Sequence, residues 1–150
     1  MHTIFIGSDH AGFMMKEEVR KVLDEFNTSG YTKIQDVGCY SIERCDYPEF
    51  AFRVAKKVRD TPNSFGILIC GTGIGMSIAA NKVKGIRCAL CHNFTSVSMA
   101  RKHNNANIIA VGACGTTSVT LLPLITGFLN IKFEGGKHKK RIDLIHNIED

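Results

Sequence analysis

The chain has 150 residues, one domain's worth, and can bury a real hydrophobic core. Its 44% hydrophobic and 22% charged residues are ordinary for a soluble globular protein, and no apolar run reaches membrane-spanning length. The net charge of +5 is modest, and much of it lies between Lys137 and Arg141, a stretch that suits a phosphate site or a solvated face as well as nucleic acid.

Met1 to Gly7 runs straight into a strand pattern rather than a signal peptide, with the first strand over Thr3–Gly7. The polar turn Ser8-Asp9-His10 follows. Apolar residues at Met15, Val19, Val22, Leu23 and Phe26 then give a helix with one buried face, ended by Ser29-Gly30. A weaker strand covers Tyr31–Val37. A loop over Gly38–Tyr47 leads to Pro48, a good first helical residue, and Ala51, Val54, Ala55 and Val58 form the buried face of the second helix.

The apolar run Phe65–Ile69 predicts a fully buried third strand. Gly71, Gly73 and Gly75 then make a tight turn, and Met76 to Lys82 reads as the start of a helix. Ile86–Cys91 is the fourth strand, and Asn93 caps a helix that ends near Lys102. Ile108–Val111 is the fifth strand. A largely apolar helix spans Val119–Leu129 with Pro123 in its first turn, and after Glu134-Gly-Gly a final helix carries Ile142, Ile145 and Ile148. Strands and helices alternate throughout, which predicts an α/β fold: a three-layer α/β/α sandwich around a five-stranded parallel Rossmann-like sheet, with an extended C-terminal helix. In such sheets ligands bind beyond the carboxyl ends of the strands, where Asp9, Cys70 and the residues after Val111 fall.

Candidate chemistry concentrates around Cys70. It ends the third strand, directly before a glycine loop whose amides and helix dipole suit an anion. The loop is neither a Walker motif nor the dinucleotide fingerprint, since the required ending and spacing are missing. Cys88-Ala-Leu-Cys91-His92 matches the haem c attachment pattern by letter. On a strand, however, residues three apart point to opposite faces, which suits neither a haem clamp nor a shared metal. The six cysteines show no compact disulfide framework and read as reduced thiols of a cytosolic protein, with Cys39 and Cys45 as loop or packing thiols. His103 opens a connection rich in asparagine, through Asn107.

Taken together, Gly7-Ser-Asp-His-Ala-Gly12, Asp46-Tyr-Pro48, Ile69-Cys-Gly-Thr-Gly-Ile-Gly75, Ala79-Ala-Asn-Lys82, Gly85-Ile-Arg87, His103-Asn-Asn-Ala-Asn107 and Glu134-Gly-Gly-Lys-His138 with Arg141 resemble the type B ribose-5-phosphate isomerase family over essentially the whole chain. The resemblance implies one sugar-phosphate isomerase domain over residues 1–150. It implies cofactor-free, metal-free interconversion of ribose 5-phosphate and ribulose 5-phosphate through an enediolate. It makes Cys70 the base and His103 the group that assists ring opening. Thr72 and the amides of Gly71, Gly73, Ile74 and Gly75 would hold the enediolate. Asp9 and Asn104 would bind sugar hydroxyls, and His10, Lys137 and Arg141 the phosphate. It further implies a cytoplasmic homodimer, in some members paired into tetramers, whose sites are shared between subunits, the C-terminal phosphate residues coming from the partner.

Two positions depart from the family's usual pattern, with Lys137 and Cys114 standing where arginine is common. Lysine keeps the charge without the bidentate fork, and cysteine keeps neither. A hexose-6-phosphate isomerase of the same family is the nearest alternative. A non-catalytic phosphosugar or nucleotide module is a further one, opposed by Cys70, Thr72 and His103, since simple binding needs the loop but no base. A nucleic-acid-binding module has no recognised motif here, and nothing in the chain points to a membrane.

Overall fold

The computed structural model describes residues 2–27 and 32–149. Elements run in the order β1 (His2–Ser8), α1 (Phe13–Phe26), β2 (Thr32–Asp36), α2 (Tyr47–Asp60), β3 (Ser64–Cys70), α3 (Ile74–Ala80), β4 (Cys88–Leu90), α4 (Phe94–Asn104), β5 (Ile108–Gly112), α5 (Ser118–Asn130) and α6 (Lys137–His146). All strand pairs are parallel, in the order β2-β1-β3-β5-β4. From β1 the chain goes outward to β2 on one side and back to β3 on the other, so the switch point lies between β1 and β3. There Ser8 pairs with Ile69, and one strand further Cys70 pairs with Gly112, so three strand ends meet at one edge.

Strand alternation sends successive side chains into two cores. Phe5, Leu68, Cys70, Ile108 and Ala110 pack under α2 and α3 against Val54, Ala55 and Met76. Ile6, Ile67, Ile69, Ile109 and Val111 pack under α1, α4 and α5 against Val19, Val97, Ile125 and Phe128. This is the expected three-layer sandwich, and α6 packs outside it on α4. The buried face expected for α2 is present in full, since Ala51, Val54, Ala55 and Val58 are all buried.

Several boundaries differ from expectation. The third helix starts at Ile74 rather than Met76, so Gly75 belongs to the helix instead of the turn, and it ends at Ala80, inside the stretch expected to open it. β4 keeps only Cys88–Leu90 of the expected Ile86–Cys91, because that edge strand pairs on one side with β5 alone. Pro123 lies beyond the first turn of α5, where its missing N–H leaves the Val119 carbonyl to solvent at a residue that is 78% exposed. Of the isoleucines expected to bury the last helix, only Ile142 is buried, and Ile148 lies past the helix end. α1 ends at Phe26 with Asn27 as its C-cap; the expected stop at Ser29-Gly30, and Tyr31 of the second strand, lie outside the described residues.

Lys16 is fully buried on α1, its ammonium paired with Asp36 at the end of β2 and 3.1 Å from Glu17. The pair ties helix to sheet edge. A charge so placed is tolerated only because it is matched.

Candidate active site

The loop after β3 is stapled to the exit of β5. Ala113 donates its amide to the Cys70 carbonyl at 2.8 Å, and Cys114 donates to that of Gly71 at 2.9 Å. Gly73 sits at φ 78°, and a Cβ there would lie 2.9 Å from the Val111 carbonyl carbon, so only glycine lets the loop lie this close to β5. That turn aims the Gly73 amide back at Cys70, where it donates to Sγ at 3.1 Å. Cys70, 5% exposed, thus packs in the core under α2 and α3 with its sulfur as an acceptor. Thr72 is exposed beside it, its hydroxyl accepting from the Ile74 amide at 3.3 Å. Gly75 is required for another reason. A Cβ there would lie 2.5 Å from the ring of Tyr47, which covers this turn of α3.

Asp9 and His10 join the loop across the switch point. The Asp9 amide donates to the Ile69 carbonyl at 3.3 Å, and its buried carboxylate accepts from Gly12 at 3.0 Å, closing the turn into α1. His10 is placed by Cys45, whose amide nitrogen and carbonyl oxygen each lie 3.2 Å from Nδ1. On the other flank of the loop a cleft of about 360 Å³ opens, lined by Gly71, Thr72, Ile74, His92 and Cys114. Cys114 therefore stands beside the glycine loop.

The remaining candidate residues lie elsewhere. α4 runs antiparallel to the strands, so its C-terminal residues His103 and Asn104 emerge at the amino ends of the sheet. The chain then re-enters β5 beside Gly66, which donates its amide to the Asn107 carbonyl at 2.9 Å. Gly66 and Cys70 are four strand residues apart, roughly 13 Å. Within one chain the structure separates His103 and Asn104 from Cys70.

These two residues join the C-terminal segment instead. The His103 ring stacks on that of His138, with centroids 4.1 Å apart and planes 9° from parallel. Glu134 Oε2 lies 3.7 Å from Nε2 of His103 and 3.8 Å from Nε2 of His138. His138 is buried, and that burial, with His103, Arg141 and Lys137 adding repulsion, pulls its pKa below the usual imidazole value. Lys137 and Arg141 are exposed on the same face of α6 one turn apart. A cleft of about 730 Å³, larger than the one beside the glycine loop, opens at this end, and Asn104 and Arg87 line it.

His103, Glu134 and His138 place three ligand atoms within 4.8 Å of one another, close enough to share a cation. Face-to-face rings direct their lone pairs side by side rather than at one point, and Lys137 and Arg141 add positive charge, so the arrangement suits an anion better. Cys88 and Cys91 belong to opposite cores, as expected, and burial pushes both thiols up, which makes them poor ligands. Sequence reasoning assigned no role to Tyr47 and no chemistry to Glu134, although both stand in the quoted motifs.

A family model described as Ribose/Galactose Isomerase matches residues 4–145. Ribose-5-phosphate isomerase B of Escherichia coli (strain K12) is 39% identical over 149 residues, covering 99% of this chain and 97% of that protein. The solved ribose-5-phosphate isomerase B of Clostridium thermocellum superposes with a TM-score of 0.92 at 42% identity, covering 98% of this chain and 97% of that one. The Mycoplasma genitalium ribose-5-phosphate isomerase B, solved with bound ribulose-5-phosphate, superposes with a TM-score of 0.90 at 39% identity over 99% of this chain and 96% of its own. The chain belongs to the ribose/galactose isomerase family.

Proposed function

We propose that residues 1–150 form a single sugar-phosphate isomerase domain that interconverts ribose 5-phosphate and ribulose 5-phosphate. The observation that carries this reading is the Cys70 sulfur, held at the switch point by an amide of its own glycine loop, in a chain whose family relatives bear that activity as their name. Enediolate chemistry needs a base beside the carbon acid and donors aimed at the developing oxyanion. Cys70, as thiolate, takes the C2 proton of the open aldose and returns a proton at C1. The Thr72 hydroxyl and the amides of Gly71, Gly73, Ile74 and Gly75 hold the enediolate oxygens. Asp9 and Asn104 bind sugar hydroxyls. His10, Lys137 and Arg141 bind the phosphate, which positions the reacting carbons by contacts remote from them.

His103 assists ring opening, and it does so from another copy. In one chain it lies at the far end of the sheet from Cys70, with Asn104, Lys137 and Arg141 on its side. A homodimer, in which the amino end of one sheet meets the carboxyl end of another, completes two sites at once. Pairing of dimers into a tetramer leaves this arrangement intact. The partners in this reading are a phosphorylated sugar and a second copy, not nucleic acid or membrane; among the described residues no helix is long and apolar enough to cross a membrane. Six free thiols accord with a cytoplasmic setting. A hexose-6-phosphate isomerase is the second reading, favoured by the short Cys114 side chain in the 360 Å³ cleft.

The test is turnover of ribose 5-phosphate in the presence of EDTA, read beside solvent exchange of the C1 proton of ribulose 5-phosphate. Ribulose 5-phosphate is already open, so that exchange needs the base but no ring opening. His103→Ala is expected to slow conversion of the cyclic aldose by about a hundredfold, within the range of one acid–base group, and the exchange far less. No turnover by the unaltered protein contradicts the function; equal losses in the variant contradict the role of His103.

A further inference from the structure

Gly85-Ile-Arg87 is a motif to which the chemistry above gives no task. Arg87 precedes β4, far from the glycine loop, yet it is among the most heavily hydrogen-bonded side chains of the molecule. Its Nε donates to the Asn104 carbonyl at 3.0 Å and to that of Asn105 at 3.2 Å; Nη2 donates to Asn105 again at 2.9 Å. Nη1 reaches the Gly85 carbonyl at 3.4 Å and Nε2 of His146 at 2.8 Å. A guanidinium has only donors, so His146 is the acceptor in that last contact and presents an unprotonated nitrogen. The Asn104 and Asn105 carbonyls belong to the end of α4, and His146 is the last residue of α6.

We propose that Arg87 is a positioning residue whose single planar fork fastens the end of α4, with His103 and Asn104, to the end of α6, so that the ring-opening and phosphate-binding groups enter a partner's site as one rigid piece. This rests on the function proposed above. α6 is thereby held at two points. Its first turn is held by the stack of His138 on His103, together with the amide of Glu134 donating to the Lys102 carbonyl at 3.1 Å. Its last turn is held by Arg87, with Glu149 just beyond accepting from the Gly85 amide at 2.8 Å. Arg141 lies between these anchors and Lys137 directly before the first. The fork also meets α4 where helix carbonyls run out of intrahelical donors, and cationic donors are favoured at that end. Burial pulls the Arg87 pKa down, with the Glu149 charge opposing, and the group stays charged throughout the physiological range.

The test is Arg87→Lys, which keeps the charge and loses the fork, with His146→Ala as the variant that cuts only the α6 side. Expected for Arg87→Lys, with both sugars at saturating concentration, is a loss of about tenfold in conversion of cyclic ribose 5-phosphate with C1-proton exchange of ribulose 5-phosphate within about twofold of normal, together with amide hydrogen exchange at Asn105 and Ala106 about tenfold faster. His146→Ala is expected to raise KM about threefold at unchanged kcat. A purely structural Arg87 would lower both activities together, in step with the folded fraction, and that result overturns the proposal. So does unchanged amide exchange at Asn105 and Ala106. Should His103→Ala itself show no split between the two activities, the ring-opening role falls; faster amide exchange in Arg87→Lys then still upholds the fork as the fastening between the helices.

Discussion

In the proposed reaction Cys70 is the group on which proton transfer turns, and its surroundings separate chemistry from binding. The Gly73 amide and the Thr72 hydroxyl belong to the loop and survive removal of the sulfur. Cys70→Ala is therefore expected to cut kcat by about a thousandfold or more while the Kd for ribulose 5-phosphate changes less than about threefold. Calorimetric titration of the variant checks the second half, and a parallel loss of affinity contradicts the assignment of Cys70 as base. Cys114 poses the narrower question of substrate length. Its sulfur would lie 3.4 Å from a Cβ on Gly71, and it lines the cleft flanking the loop. If the cysteine has simply removed a phosphate donor, Cys114→Arg lowers KM for ribose 5-phosphate by about tenfold, the worth of one charge-assisted contact. If the smaller side chain makes room for a longer sugar, the same variant loses turnover of allose 6-phosphate selectively. Unchanged kinetics on both sugars would place Cys114 outside the site.

Among the elements, β4 carries a stability signal that pH exposes. Cys88 is buried in the core under α2 and α3, and burial pushes its thiol far up from the ordinary range. The unfolded chain ionises this thiol first, so its contribution to stability is whole below the ordinary thiol pKa and falls as pH rises through that value. Urea unfolding between pH 8 and 10 is expected to show a steeper loss for the wild type than for Cys88→Ala, by up to about 1.4 kcal/mol per pH unit. Identical slopes contradict the buried thiol. The elements themselves were largely legible because short apolar runs mark the buried strands and the 3.6-residue period survives in α1 and α2. Where prediction slipped, packing overrode pattern. Gly75 reads as a turn glycine, but the ring of Tyr47, 28 positions earlier in the chain, is what excludes a Cβ there. Lys16 falls on the buried face of α1, in step with Val19 and Leu23, yet a lysine is passed over until Asp36 is seen beside it. The exposed Ile145 and Ile148 repeat at helical spacing without a core to fill.

At the scale of the whole molecule, the proposed site divides in two. The half at the carboxyl ends of the strands, with Asp9, His10, Cys70 and the loop to Gly75, was legible because parallel α/β topology dictates where strand ends gather. The other half was legible as motifs but not as a place. Nothing in the order of residues says that a helix antiparallel to the strands carries His103 to the opposite end, where it stacks on His138. That separation is why the proposed site calls for a second copy, and mixing two damaged chains measures it directly. Cys70→Ala and His103→Ala each leave little conversion of ribose 5-phosphate alone. Co-expressed in equal amounts as a randomly mixed dimer, half the dimers are hybrids, and one of the two sites in each hybrid holds both intact residues, so activity returns to about a quarter of the wild-type value. If Cys70 and His103 served the same site from one chain, every site would keep one lesion, and the mixture would stay as inactive as its parents.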